Sequence, residues 1–251
     1  MFFLLLTILG GFLSLQYIYQ IKILLFNLLM RFIKKYPLKL TAALKHKILC
    51  WSQQFEEVVW LDSNKEYNLQ NKSNYKAILA VDAFTAIKTD YHQAFDQLEE
   101  YQSKTKDWLF GYLTYDLKND VERLKSNNFD GLHFPDLYFF QPKKVFLFRD
   151  HEVEIQYLHC VDDELEIDWK KITNYDVNHK VSESTSVAKI ILRTSKDSYF
   201  NKLYKILEHI YSGDIYEVNF CQEFYSVATE IDAVKTFIHL NKISKPPFAT
   251  F

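Results

Sequence analysis

Glycine, proline and cysteine are all scarce in this chain, with 5 Gly, 5 Pro and 3 Cys among 251 residues. None of the glycines falls in a G-x-G-x-x-G or G-x-x-x-x-G-K-[ST] pattern, so no backbone loop that cradles a phosphate can be read. Cys50, Cys160 and Cys221 are widely spaced, form no C-x-x-C and cannot all pair, which argues against a secreted disulfide framework. An excess of positive charge is lacking too. The formal net charge is −2, which provides no basic field for nucleic acid. His133, His151 and His159 are scattered with no H-E-x-x-H, so a metal site is not expected from them. Cys160 follows His159 directly, and neighbours on a strand point to opposite faces, so a Cys–His nucleophile is not expected either.

What is present is apolar and aromatic. Hydrophobic residues make up 48% and charged residues 25%, the balance of a folded globular chain rather than a disordered one. The 21 Phe and 17 Tyr point to a large aromatic core, since no basic groove accompanies them as in a base-stacking platform. Met1 to Tyr19 is almost continuously apolar, close to the length that spans a bilayer as a helix. Lys22, Arg31, Lys34 and Lys35 follow it, and residues 1–35 hold no acid. By the positive-inside rule this predicts a cytoplasmic body, tethered if residues 1–35 insert in a membrane. The alternative is an N-terminal extension that the functional fold does not use.

Beyond it, Glu56 to Asp62 and Tyr75 to Ala86 are rich in β-formers and predict strands, with an Asn-rich loop between them. A helix is expected over Tyr91 to Ser103, and a strand over Trp108 to Tyr115 in which Gly111 signals close backbone packing. Leu137–Phe140, Lys144–Arg149 and Val153–Leu158 read as a series of strands punctuated by Pro135 and Pro142. Residues 162–185 are acidic and polar with no sustained period, so they read as a solvated linker or a short exposed helix and as the likeliest boundary. Calcium binding there is disfavoured, because the D-x-D-x-D-G spacing is missing.

Val187 to Leu192 predicts a short strand. The clearest helix follows: Tyr199, Leu203, Ile206, Leu207 and Ile210 share one face, with Ser195 as N-cap and Gly213 at the left-handed C-terminal position. Tyr216 to Phe224 alternates as a strand with two unlike faces, and Ile231 to Ile243 is a second amphipathic helix stopped by Pro246-Pro247. Phe248 to Phe251 opens a further strand.

Four segments carry a resemblance. They are Trp60-Leu61-Asp62-Ser63-Asn64; Gly111-Tyr112-Leu113-Thr114-Tyr115-Asp116 with Glu122; Phe134 to Pro142; and Ile210 to Phe224, followed by Pro246-Pro247-Phe248-Ala249. In this order and spacing, from about Lys47 to Phe251, they resemble the chorismate-utilising enzymes, in particular component I of aminodeoxychorismate (para-aminobenzoate) synthase. The resemblance implies an α+β fold of antiparallel sheets covered by helices, the sandwich of anthranilate synthase component I. Taken with the apolar front end, it gives three regions: 1–35 as extension or anchor, 36–180 as the N-terminal domain, and 181–251 as the beginning of a chorismate-binding domain. It also implies replacement of the 4-hydroxyl of chorismate by an amino group, on the way to para-aminobenzoate and folate, with Mg²⁺ and with ammonia from a glutamine amidotransferase subunit.

In the family, the metal-binding glutamates, the acid–base residues and the lysine of a PIKGT-like motif lie beyond the point matching Phe251. The expectation is therefore a chain truncated before the catalytic half, with no catalytic residue and no metal ligand of its own. Asp62-Ser63 and Pro247-Phe248 match segments that frame a tryptophan pocket in relatives, where a carboxylate and a hydroxyl suit the ammonium and proline with an aromatic suits the indole. Glu217 matches a polar position near the substrate. Anthranilate synthase component I is the rival reading. A non-catalytic fragment that binds only an amino acid or the amidotransferase subunit is another.

Overall fold

The computed structural model describes residues 30–64, 75–177, 189–227 and 229–251. These fall into two compact units, one of residues up to His179 together with Phe237–Phe251, the other of Lys180–Thr236. Elements are numbered in chain order.

The first unit is built on a seven-stranded antiparallel sheet. Its order is β1 (Arg31–Pro37), β6 (Glu152–Leu158), β5 (Leu137–Phe148), β3 (Ala77–Thr89), β2 (Val58–Asp62) and β9 (Ala249–Thr250), with β4 (Phe110–Leu113) also paired to β5. Side chains alternate along each strand. The register therefore lines up Trp60, Leu79, Phe146 and Ile155 across four strands, and all four are fully buried. Burying each such side chain contributes roughly 1.5–3 kcal/mol.

Two helices lie on this face. α1 (Ala42–Ser52) starts where the Thr41 hydroxyl accepts the Leu44 N–H at 3.2 Å, and its Trp51 ring meets Phe146 edge-on at 5.8 Å. α4 (Leu165–Thr173) packs beside it, burying Leu165, Asp168, Trp169 and Ile172. The solvated linker or short exposed helix expected over 162–185 is thus, in its first part, a helix packed into the core. Its apolar positions at i, i+4 and i+7 are interleaved with Glu166, Asp168, Lys170 and Lys171, and this mixture masks the stripe in the sequence. One of those charges is itself buried. Lys144, 2% exposed on β5, donates to Asp168 at 2.7 Å and to Glu164 at 2.5 Å, and the Tyr157 hydroxyl donates to Asp168 at 3.1 Å. Burial pulls the Lys144 ammonium down, but the two carboxylates outweigh it and its pKa lies above the ordinary lysine value.

The other face of the sheet carries a second cluster, in which Ala80, Val145 and Leu147 pack with Phe110 and Phe140. Gly111 lets β4 approach β5, since a Cβ there would stand 1.9 Å from the Tyr138 carbonyl oxygen. α2 (Ala94–Thr105) is capped from a distance by Asp120 of α3 (Lys118–Val121), which accepts the N–H groups of Gln93, Ala94 and Phe95 at 2.8–3.3 Å.

Two expectations are corrected around β1. Pro142 does not divide two strands, because β5 runs through it unbroken. β4 pairs with Leu137–Phe140 and β6 with Lys144–Phe148, leaving residues 141–143 without a ladder partner on that side, while the pairing with β3 shifts register at Ala83/Thr85. A proline is tolerated at such an irregularity. Arg31 fills the gap: its guanidinium donates to the carbonyls of Pro142 at 2.6 Å and Gln156 at 3.3 Å, and Asp107 accepts two of its N–H groups at 2.8 Å each. Burial pushes the Asp107 carboxyl up, yet hydrogen bonds from Arg31 and Gln141 prevail and hold it below the usual carboxylate range. The boundary expected at residue 35 falls inside β1, whose Tyr36 ring stacks on Trp169 at 5.3 Å. Arg31, Lys34 and Lys35 are residues of β1. The apolar run and its expected membrane span lie in residues outside those described, and among the described residues no helix is long and apolar enough to cross a membrane.

In the second unit, α5 (Lys196–Tyr211) begins with the Ser195 hydroxyl accepting the Ser198 N–H at 3.3 Å, and Gly213 follows it at φ +78°. The strand expected over Tyr216–Phe224 shrinks to β8 (Phe224–Tyr225), paired with β7 (Ile191–Leu192). A period of two becomes a strand only beside a partner, and β7 is two residues long. The mixed architecture agrees with an α+β class, although among the described residues one large sheet and this small pair stand where two sheets were expected. α6 (Ala233–Ser244) leads to β9, which joins the edge of the main sheet.

Candidate functional site

The site forms where β9 meets β2. Asp62 pairs with Ala249 and Leu61 with Thr250, and beyond the last pair the N–H and C=O of Trp60 and Phe251 exchange hydrogen bonds of 2.7 and 2.9 Å. Residues separated by almost the whole described chain thereby become neighbours. A cavity of about 250 Å³ opens at this junction. Asp62, Ser63, Pro247 and Phe248 all line it, with Tyr75 just before β3 and Ile78 within it. The structure thus brings together the four residues of the tryptophan pocket read by resemblance.

Their chemistry differs in one respect from the simple expectation. The Asp62 side chain is 1% exposed and its carboxylate accepts from Lys45 of α1 at 2.6 Å and from the Asn64 backbone N–H at 3.0 Å. It is therefore already neutralised by a partner and does not stand free for a ligand ammonium. The Ser63 hydroxyl donates to the Lys76 carbonyl at 2.9 Å, which fixes its rotamer and leaves its oxygen lone pairs to accept. Pro247 and Phe248 supply apolar surface, and the Phe248 ring, 86% exposed, stands open to solvent. The wall is an apolar slot with one hydroxyl oriented by the backbone, a combination suited to a flat ring bearing a donor.

Lys45, Tyr75 and Lys76 were not legible as parts of this site. Lys45 lies on another element and meets Asp62 only through helix-on-sheet packing, while Tyr75 and Lys76 begin a strand whose sequence signals only β structure. Glu217 belongs to the second unit, where it is exposed and outside any strand.

A family model described as chorismate binding enzyme matches residues 45–251. The chain belongs to the chorismate-binding enzyme family. The match begins within α1 and includes residues of both units, so the family's sequence pattern includes β2, β3 and the cavity, in line with the resemblance read from about Lys47 to Phe251. A search of curated proteins found no match. Chorismate is the ligand that membership implies. For a divalent cation the fit is poor: among the described residues no group of three or more His, Cys, Asp and Glu side chains could hold a metal ion.

Proposed function

We propose that this member of the chorismate-binding family is component I of an aminodeoxychorismate synthase, and that the cavity between β2 and β9 holds tryptophan. The observation that carries the second half is the convergence of Asp62, Ser63, Pro247 and Phe248 on one cavity of about 250 Å³. In this reading the indole lies against Pro247 and Phe248, and the ammonium donates to the Ser63 oxygen. Lys45 holds Asp62 in place, so the carboxylate shapes the end of β2 and supplies only a screened negative field. Occupancy would clamp β9 to β2, making the amino acid a structural or feedback ligand rather than a reactant. The FPDLYFFQP segment within residues 134–142 favours the folate branch by resemblance. Glu217 is proposed to lie near chorismate, ammonia to come from a glutamine amidotransferase subunit, Mg²⁺ to serve the reaction through ligands outside this chain, and the compartment to be the cytoplasm.

The complex captured on the full-length chain from its own cells tests the assignment. Given chorismate, glutamine and Mg²⁺, it is expected to form aminodeoxychorismate, identified by mass. Fluorescent anthranilate as the product would move the chain to the tryptophan branch. Absence of both the amidotransferase and any chorismate turnover would remove the synthase reading. Calorimetry with tryptophan tests the pocket separately, with Ser63→Phe expected to abolish binding by filling the slot.

A further inference from the structure

Pro247 and Phe248 form one wall of the cavity between β2 and β9, yet they stand outside the ladder, whose pairs are Asp62 with Ala249 and Leu61 with Thr250. The turn that leads to them contains two prolines in succession, Pro246 and Pro247, which have no N–H to give. Through these two residues the backbone can be tied only by its carbonyl oxygens. That of Pro246 is tied, because the Asn64 side-chain amide donates to it at 2.8 Å. This oxygen belongs to the peptide plane between Pro246 and Pro247, and the pyrrolidine ring fixes φ of Pro247, so the one bond also orients the Pro247 ring.

Asn64 is itself held. Its side-chain amide donates to the Asn241 amide oxygen at 2.5 Å, and Asn241 of α6 donates back to the Asn64 amide oxygen at 3.1 Å. Both amide hydrogens of Asn64 are thereby used, one on Asn241 and one on Pro246. Its backbone N–H donates to the Asp62 carboxylate at 3.0 Å, and its backbone lies at φ +44°, a left-handed conformation that asparagine adopts more readily than most residues with a Cβ. Asn64, Asn241 and Pro246 are all half-buried and all belong to the first unit. Because Asn64 follows Ser63 directly, one residue connects the two walls, the hydroxyl on one side and the Pro247–Phe248 surface on the other.

We propose that Asn64, locked by Asn241, is the positioning residue that sets the selectivity of this cavity, by fixing the spacing between Ser63 and the Pro247–Phe248 wall at which an indole fits. The inference rests on the tryptophan reading of the cavity and adds how that cavity tells tryptophan from a smaller aromatic amino acid. An indole covers more of the wall than a phenyl ring does, so a displaced wall weakens tryptophan more than phenylalanine. Asn64→Gly isolates the side chain, since glycine keeps the left-handed backbone without strain while the bonds to Asn241 and Pro246 are lost. Asn241→Leu removes the lock and leaves the bond from Asn64 to Pro246 able to form.

Calorimetry of the full chain with tryptophan and with phenylalanine, the latter by competition against tryptophan where its own heat is small, tests this. Asn64→Gly is expected to weaken tryptophan about tenfold and phenylalanine about threefold or less, which narrows the preference. Asn241→Leu is expected to weaken tryptophan about threefold, and the double variant to bind as Asn64→Gly does, because the amide exchange is already gone. Unfolding temperatures without ligand show that each variant is folded, and a fold that is merely looser lowers both amino acids by one factor. Should Asn64→Gly not fold, the same narrowing read from Asn241→Leu decides. Equal losses for the two amino acids, a double variant whose loss is the product of the single losses, or parent-like binding by both single variants would each overturn the proposal. Failure of the folded parent to bind tryptophan would instead strike the tryptophan reading, and this inference with it.

Discussion

α4 and α5 invert what their sequences promise. α5 carries the cleanest apolar stripe in the chain, yet none of its residues is buried. α4 reads as a run of charge, yet it buries four of its nine residues and closes a buried ion pair with the sheet. Amphipathic spacing states what a helix offers, whereas burial depends on the surface it meets. α4 lies on a wide sheet that presents Lys144 and Tyr157 to Asp168, so even its charge is absorbed. The second unit has only the β7–β8 pair among its described strands, and Leu203, Ile206 and Leu207 remain half-exposed.

The sharpest way to break this contrast is to remove the charge beneath α4. Lys144→Met would leave Asp168 buried without its cation, and urea unfolding is expected to show a loss of about 3–5 kcal/mol. Adding Asp168→Leu should recover most of that loss, because the desolvated carboxylate goes as well. If the single variant unfolds like the parent, the buried pair is not what fastens α4.

A matched pair of truncations sharpens the same point. Ile172→Ala in α4 is expected to cost roughly 2–5 kcal/mol as a cavity in a closed core. Leu203→Ala in α5, already half-wet, should cost less than about 1.5 kcal/mol on the same area reasoning. Comparable losses in chemical denaturation would mean that the α5 face is covered after all.

Between these lies the Arg31–Asp107 bridge, whose effect depends on pH. Because the folded Asp107 pKa is depressed, its stabilisation is present above the unfolded carboxylate value of about 3.9 and is lost as pH falls through the folded value. Stability of Arg31→Met relative to the parent, followed from pH 7 downward, should show a gap that narrows in acid. A gap constant with pH would assign the effect to packing alone. The smallest change expected is Ser195→Ala, which removes the α5 cap and should cost about 1 kcal/mol, read by the helical signal on heating.

How far the sequence could be read depends on the range of the interactions involved. The α5 boundaries were legible because a serine cap and a left-handed glycine act within one turn. The close approach at Gly111 was legible because only a residue without Cβ fits against Tyr138. The candidate site was legible in part. Asp62-Ser63 and Pro247-Phe248 were marked by resemblance, and the β2–β9 pairing puts them in one cavity. That Asp62 would arrive already paired to Lys45 was not legible, since no pattern links a lysine on a helix to a carboxylate at the end of a strand.

Local identity by itself marked β2 to β7 and β9 together with α2, α5 and α6, where α5 starts and stops, and which short segments resemble the chorismate-utilising enzymes. Tertiary structure alone decided that Arg31 plugs the sheet at Pro142, that a charged run becomes a core helix, and that an alternating segment stays outside a strand. Propensity and periodicity act over a few residues and are written in the order of the chain. Burial, pairing and the neutralisation of a buried charge depend on surfaces far apart in that order, and they exist only once the sheet has formed.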